Sequence, residues 1–147
     1  MEPVHRRAAR VIVLDPAERV LLVQYIRQSG ERYWATPGGG LQEEEEESFE
    51  AAARRELLEE IGLVAGRLEP LWTAPSSYEF GGRRVLQEEK FYLFRIDSPE
   101  LPEDMDGVRM QEGIVDLRWW TADDLRAATE PVFPENLGAE LAKLRRS

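Results

Sequence analysis

At 147 residues the chain is sized for one domain, residues 1–147, and its 42% hydrophobic content is enough to build a core. A net charge of -10 argues against a nucleic-acid polymer or an anionic membrane as partner, because phosphate polymers are held by clustered Lys and Arg. Cysteine is absent, which removes disulfides, thiol nucleophiles and Cys-zinc sites, and the lone histidine, His5, argues against a His-based triad.

An acidic protein still binds a small phosphorylated ligand when metal ions sit between the two sets of negative charge. The basic N-terminus MEPVHRRAAR is followed only by the apolar run Val11–Leu14. That is too short for a secretory h-region or a membrane span, so the chain reads as soluble and cytoplasmic.

In chain order, Ala8–Leu14 and Val20–Tyr25 read as strands around the Asp15-Pro16-Ala17-Glu18 turn, forming a hairpin. Ile26–Tyr33 reads as a loop, and Trp34-Ala35-Thr36 as a short extended piece before Pro37. Gly38-Gly39-Gly40 reads as a hinge that lets backbone come close to a ligand.

Ser48–Ile61 is the strongest helix in the sequence. Ser48 is an N-cap, good helix formers follow, and Phe49, Ala53, Leu57 and Ile61 form one apolar stripe that Gly62 ends. Leu68–Ala74 reads as a strand broken by Pro75-Ser76-Ser77, and Val85–Ile96 as a long strand after a Gly81-Gly82 turn. Ser98–Gly107 is a loop and Val115–Trp120 a strand. Thr121 with Asp124 makes a capping box for a short helix reaching about Ala128, and Pro134 opens a last helix. Strands around one central helix with a helical end give a mixed α/β domain, of the α+β or α/β/α sandwich kind.

Glu56, Glu59 and Glu60 stand at i, i+3 and i+4, on one side of the central helix beside its apolar stripe. Like charges at this spacing destabilise a helix by roughly 0.2–0.5 kcal/mol each, and the last helical turn disfavours anions further. A purely structural helix would end in Lys or Arg, so three acids there point to a compensating cation. Hard divalent cations take carboxylate oxygens together with substrate phosphates. Arg55, four residues before Glu59, is placed to pin that carboxylate. Acidic helices are common, however, and on these residues alone a solvated surface explains as much.

The wider spacing carries more. Glu47, then Ser48–Arg54, then Arg55-Glu56-Leu57-Leu58-Glu59-Glu60-Ile61-Gly62-Leu63 resembles the Nudix hydrolase signature G-x5-E-x7-R-E-U-x-E-E-x-G-U at every specified position from Glu47 on. The front half departs. The signature glycine would fall at position 41, which is Leu41, and taking Gly39 in its place gives G-x7-E, a two-residue insertion within Leu41–Glu46.

This resemblance implies the Nudix α/β/α sandwich with a central mixed sheet. It implies a hydrolase that cleaves the diphosphate linkage of a nucleoside diphosphate derivative by water attack at phosphorus, with Mg²⁺ or Mn²⁺. Carried over by position, Glu56 and Glu60 would be metal ligands, Glu59 a further ligand held by Arg55, and Glu47 an outer ligand or partner of the helix. A carbonyl of Gly38 or Gly39 would complete the set. Family members often recruit one more glutamate as ligand or general base. Glu112 is the candidate here, with Glu88 and Glu89 as alternatives.

Arg27, Trp34, Tyr78 and Arg84 are the substrate-binding candidates, the aromatics by stacking a base and the arginines by forking a phosphate. Core packing is an equal account of Trp34. ADP-ribose-like compounds, dinucleoside polyphosphates and (d)NTPs all remain open as substrates, and a homodimer is open as the assembly. The competing reading is a non-catalytic Nudix-fold module that binds a nucleotide and regulates a partner. The intact set Arg55, Glu56, Glu59 and Glu60 speaks for catalysis.

Overall fold

The computed structural model describes residues 2–104, 109 and 112–145. Among them, eight strands form one mixed sheet in the order β5-β6-β1-β2-β3-β8, with β4 paired to β1 and β7 to β2. The strands are β1 (Val4–Leu14), β2 (Val20–Ile26), β3 (Arg32–Ala35), β4 (Gly38–Gly40), β5 (Glu69–Phe80), β6 (Arg83–Arg95), β7 (Ile114–Trp120) and β8 (Val132–Phe133). The β1–β6 and β3–β8 pairs are parallel and the others antiparallel.

Period-two alternation sorts β1 and β2 onto two cores. Ala9, Val11, Val13, Leu21 and Val23 face the central helix α1 (Phe49–Ile61), meeting its Ala52, Ala53, Leu57 and Ile61. Ile12, Leu14, Val20 and Leu22 face the other way, onto Trp34, Trp120 and the helix Leu137–Leu144. Helices therefore cover both faces of a mixed sheet, as the sandwich expectation requires.

Helix α1 starts and stops where its sequence says. The Ser48 hydroxyl accepts the Ala51 N–H at 3.1 Å, and Gly62 closes the C-terminus in the left-handed region, at φ 83°. Thr121 and Asp124 form the reciprocal capping box of the helix Ala122–Arg126.

Four expectations need correction. The first two strands pair only next to the turn, Leu14 opposite Val20; beyond that pair the facing edge of β1 is taken by β4 and that of β2 by β3, while β6 and β7 line their other edges. Pro75-Ser76-Ser77 does not break β5, which runs through in register with Gln87 and Glu88. Because β5 is an edge strand, its missing N–H is tolerated. The triglycine is not a hinge. It is a strand in register with Ala8–Arg10. The last helix begins at Leu137, one turn after Pro134, whose carbonyl accepts the Leu137 N–H at 3.0 Å.

The divergence of β1 from β2 positions the acidic stretch. β4 fills the opening beside Ala8–Arg10, midway along β1, and α1 lies against both strands. The ladder irregularity between Gln24 and Tyr25 falls beside the same opening.

Candidate active site

The three glutamates of α1 are not equivalent. Glu60 is buried, at 3% exposure, while the Glu56 side chain is 15% and the Glu59 side chain 43% exposed. Glu60 Oε1 accepts the backbone N–H of Gly38 at 2.8 Å, and its Oε2 accepts the Tyr25 hydroxyl. Burial is the main reason its carboxyl is pushed up to about 8. Glu56 adds to the shift, and the bonds from Tyr25 and Gly38 oppose it. Burial also raises the Glu56 carboxyl, against the pull of Arg55.

Arg55 organises the cluster. Its Nε and Nη2 fork both oxygens of Glu47, at 2.8 and 3.0 Å. Its Nη1 reaches Glu56 Oε1 at 2.9 Å and Glu59 Oε2 at 3.2 Å, and Nη2 also donates to the Gly40 carbonyl at 3.0 Å. Glu47 further accepts the Gln42 N–H at 2.9 Å. Glu47 pairs with Arg55, whose guanidinium holds its carboxyl below the ordinary range.

The glycines are as thin as they are for steric reasons. A Cβ on Gly39 would lie 2.6 Å from Glu56 Oε1, and one on Gly38 would lie 2.1 Å from the Ala9 carbonyl. On the opposite face of β4, Gly40 leaves room for the Arg6 guanidinium, and Gly38 for the stem of Arg10. Glu112 is brought toward this cluster from the segment before β7. Burial raises its carboxyl, and the charges of Glu56 and Glu59 raise it further.

The substrate candidates divide. Trp34 is buried at 4% in the core facing away from α1, edge-on to Trp120 at 5.0 Å and donating to Glu130 at 2.9 Å. Core packing thus accounts for it. Arg27 lies over the Tyr33 ring at 4.7 Å, and Tyr33 stacks on Tyr25, the donor to Glu60. The Tyr78 hydroxyl accepts Arg6 Nη1 at 2.9 Å, so it reaches the glycines only through Arg6. Arg84 lines an open cleft of about 1120 Å³ with His5, Arg7, Ser77 and Glu88. Among the described residues Arg84 has no hydrogen bond or ion pair to Glu47, Glu56, Glu59 or Glu60. Glu88 lines the same cleft, while Glu89 pairs with Arg10 at 3.0 Å.

Sequence reasoning missed Tyr25, Arg10 and Arg109. Tyr25 continues the Leu21, Val23 alternation and was legible as inward-facing. Arg10, a charge inside an apolar strand run, was a flag of the same kind. Nothing in the sequence marks Arg109.

The donor set suits a hard divalent cation. Carboxylates crowd together with raised proton affinities, and Glu56 Oε2 has no hydrogen-bond partner among the described residues. As they stand, no three acidic or histidine side chains among the described residues converge on one point.

The NUDIX domain family model matches residues 4–141. The chain therefore belongs to the NUDIX family, and fold and box together define a pyrophosphohydrolase of that class. The fold is shared with a MutT NUDIX hydrolase from Burkholderia pseudomallei, at 22% identity and TM-score 0.69, over 93% of this chain and 97% of that one. It is also shared with the NUDIX domain of Shewanella oneidensis NrtR complexed with ADP ribose, at 21% identity and TM-score 0.65, over 99% and 89% of the two chains. A C. elegans Ap4A hydrolase binary complex is similar at 19% identity and TM-score 0.65, over 95% and 94%. No curated protein matches the chain.

Proposed function

We propose that the chain hydrolyses the diphosphate linkage of a small nucleoside diphosphate derivative in the cytoplasm, with Mg²⁺ or Mn²⁺ held by Glu56, Glu59 and Glu60. The observation that carries this reading is the gathering of Glu47, Glu56 and Glu59 on the single guanidinium of Arg55, beside a buried Glu60. A bound divalent cation supplies charge neutralisation for the diphosphate and acidifies the attacking water.

The chain's own residues do the rest. Arg55 fixes the directions of Glu56 and Glu59. The Gly38 amide and Tyr25 hold Glu60, and Glu112 accepts the proton from water. The Gly38 and Gly39 carbonyls are further oxygen donors. The two-residue insertion corresponds in our reading to the exposed turn Glu43–Glu45, closed by Glu46 at φ 54°, which leaves α1 in place. Arg27, over the Tyr33 ring at 4.7 Å and without a carboxylate partner among the described residues, is the arm we assign to a substrate phosphate.

ADP-ribose, diadenosine tetraphosphate and the (d)NTPs are the substrates to test, the first two in keeping with the names of the structural relatives. In a panel with Mg²⁺ or Mn²⁺, we expect at least one to give a nucleoside monophosphate and a phosphorylated remainder, and chelator to stop the release. Tight binding of one compound without turnover of any would replace this reading with the non-catalytic module.

A further inference from the structure

Arg109 joins two parts of the site that are distant in the chain, the last turn of α1 and the segment entering β7. Its Nε donates to the Glu60 carbonyl at 2.8 Å, and its Nη2 to the carbonyls of Ile61 at 2.7 Å and Pro102 at 2.9 Å. Terminal helix carbonyls have no intrahelical partner, and a cation is favoured there. The main chain of the same residue works in the other direction. The Arg109 carbonyl accepts the Glu112 N–H at 3.1 Å, and the Arg109 N–H donates to Asp104 Oδ2 at 3.1 Å. On the far side of Glu112, the Gly113 carbonyl accepts the Ile26 N–H at 3.1 Å, with Gly113 itself at φ 79°. The backbone of Glu112 is thus tied to the helix turn that carries Glu59 and Glu60 on one side, and to β2 just past Tyr25 on the other. The Glu112 carboxylate lies within the field of Glu56 and Glu59.

We propose that Arg109 is a positioning residue for the reaction: it sets Glu112 against the carboxylate face of α1 by clamping the segment before β7 to the end of that helix. The inference rests on the reading of Glu112 as proton acceptor given above. A residue that only caps α1 would cost stability when removed and leave turnover per folded molecule alone. A misplacement of about 1 Å at a reacting group is worth roughly a hundredfold in rate.

The test is a double-mutant cycle in the full chain, using the best substrate from the panel and thermal melts to establish folding. Glu112→Gln should lower kcat by about a hundredfold or more. Arg109→Ala should lower kcat by roughly tenfold to a hundredfold with KM little changed. The double variant should be no slower than Glu112→Gln alone, and Arg109→Lys should recover part of the loss. If the two losses multiply, Arg109 does not act through Glu112 and the proposal falls. If Glu112→Gln turns over like the parent, the role of Glu112 falls and that of Arg109 with it, while a loss in Glu60→Gln still marks the box as catalytic. Should Arg109→Ala fail to fold, Arg109→Gln, which keeps one donor for a helix carbonyl, carries the same cycle.

Discussion

Glu60→Gln is expected to lower kcat by about a thousandfold or more while leaving the fold intact. The two halves of that expectation have separate causes. Glutamine keeps one oxygen to accept the Gly38 N–H, and its amide N–H can donate to the Tyr25 hydroxyl, which accepts as well as donates, so the buried partners stay satisfied. It removes the ionisable oxygen that the proposed cation requires. Alanine would be a poorer probe. It would strand both donors, at about 1–3 kcal/mol for each one left buried and unpaired, and so mix folding with chemistry. Steady-state kinetics alongside far-UV circular dichroism separates the two halves. Parent-like turnover in a folded Glu60→Gln protein would refute the assignment of Glu60 to the metal.

The second large effect is on stability against pH. Glu60 titrates at about 8 in the folded protein, chiefly because it is buried, and near 4.5 when exposed. The folded state therefore holds this proton more tightly than the unfolded chain. Stability from this group is full below about pH 4.5, is lost as pH rises, and is gone above about pH 8. The ceiling on the loss is about 5 kcal/mol, from 1.36 kcal/mol for each pH unit of the shift. Glu56 and Glu112, also raised by burial, act in the same direction. Glu47, lowered by Arg55, acts oppositely. Its stabilisation is present at neutral pH and lost only in acid, below the window that Glu60 governs.

Metal-free protein should accordingly melt about 10 °C or more lower at pH 8 than at pH 5. Glu60→Gln should flatten most of that slope. Added Mg²⁺ or Mn²⁺ should restore the parent at pH 8 far more than at pH 5, since binding requires the ionised carboxylate. Differential scanning fluorimetry across that range is sufficient. A flat profile for the parent without metal would show that Glu60 is not desolvated as the fold implies.

Helix α1 was legible from end to end because its signals are local: a capping serine, an apolar stripe and a terminal glycine. The capping box at Thr121 was legible for the same reason. Pro75 misled because proline reads as a break unless the strand is known to lie at a sheet edge, and edges are fixed by topology. The triglycine read as flexible because glycine alone does not reveal a partner. Ala8–Arg10 supplies one from a distant part of the chain.

The site divides along the same line. The proximity of Arg55 to Glu59 follows from helical spacing, but its fork onto Glu47 depends on the closed turn Gln42–Glu47. Trp34 lies beside the glycines in sequence yet faces the other core, since one step along a strand reverses the side of the sheet. Tyr25 and Arg109 meet Glu60 and the carbonyls of Glu60 and Ile61 through long-range packing, which residue spacing does not encode.

Manganese binding followed by electron paramagnetic resonance tests the central claim most directly, because it needs no knowledge of the substrate. At pH 8 the free Mn²⁺ signal should fall on adding the parent protein, and should stay at its free-ion level with a folded Glu56→Gln/Glu60→Gln double variant. Equal quenching by the two proteins, or none by the parent with or without a nucleotide from the panel, would contradict a metal site at the acidic end of α1.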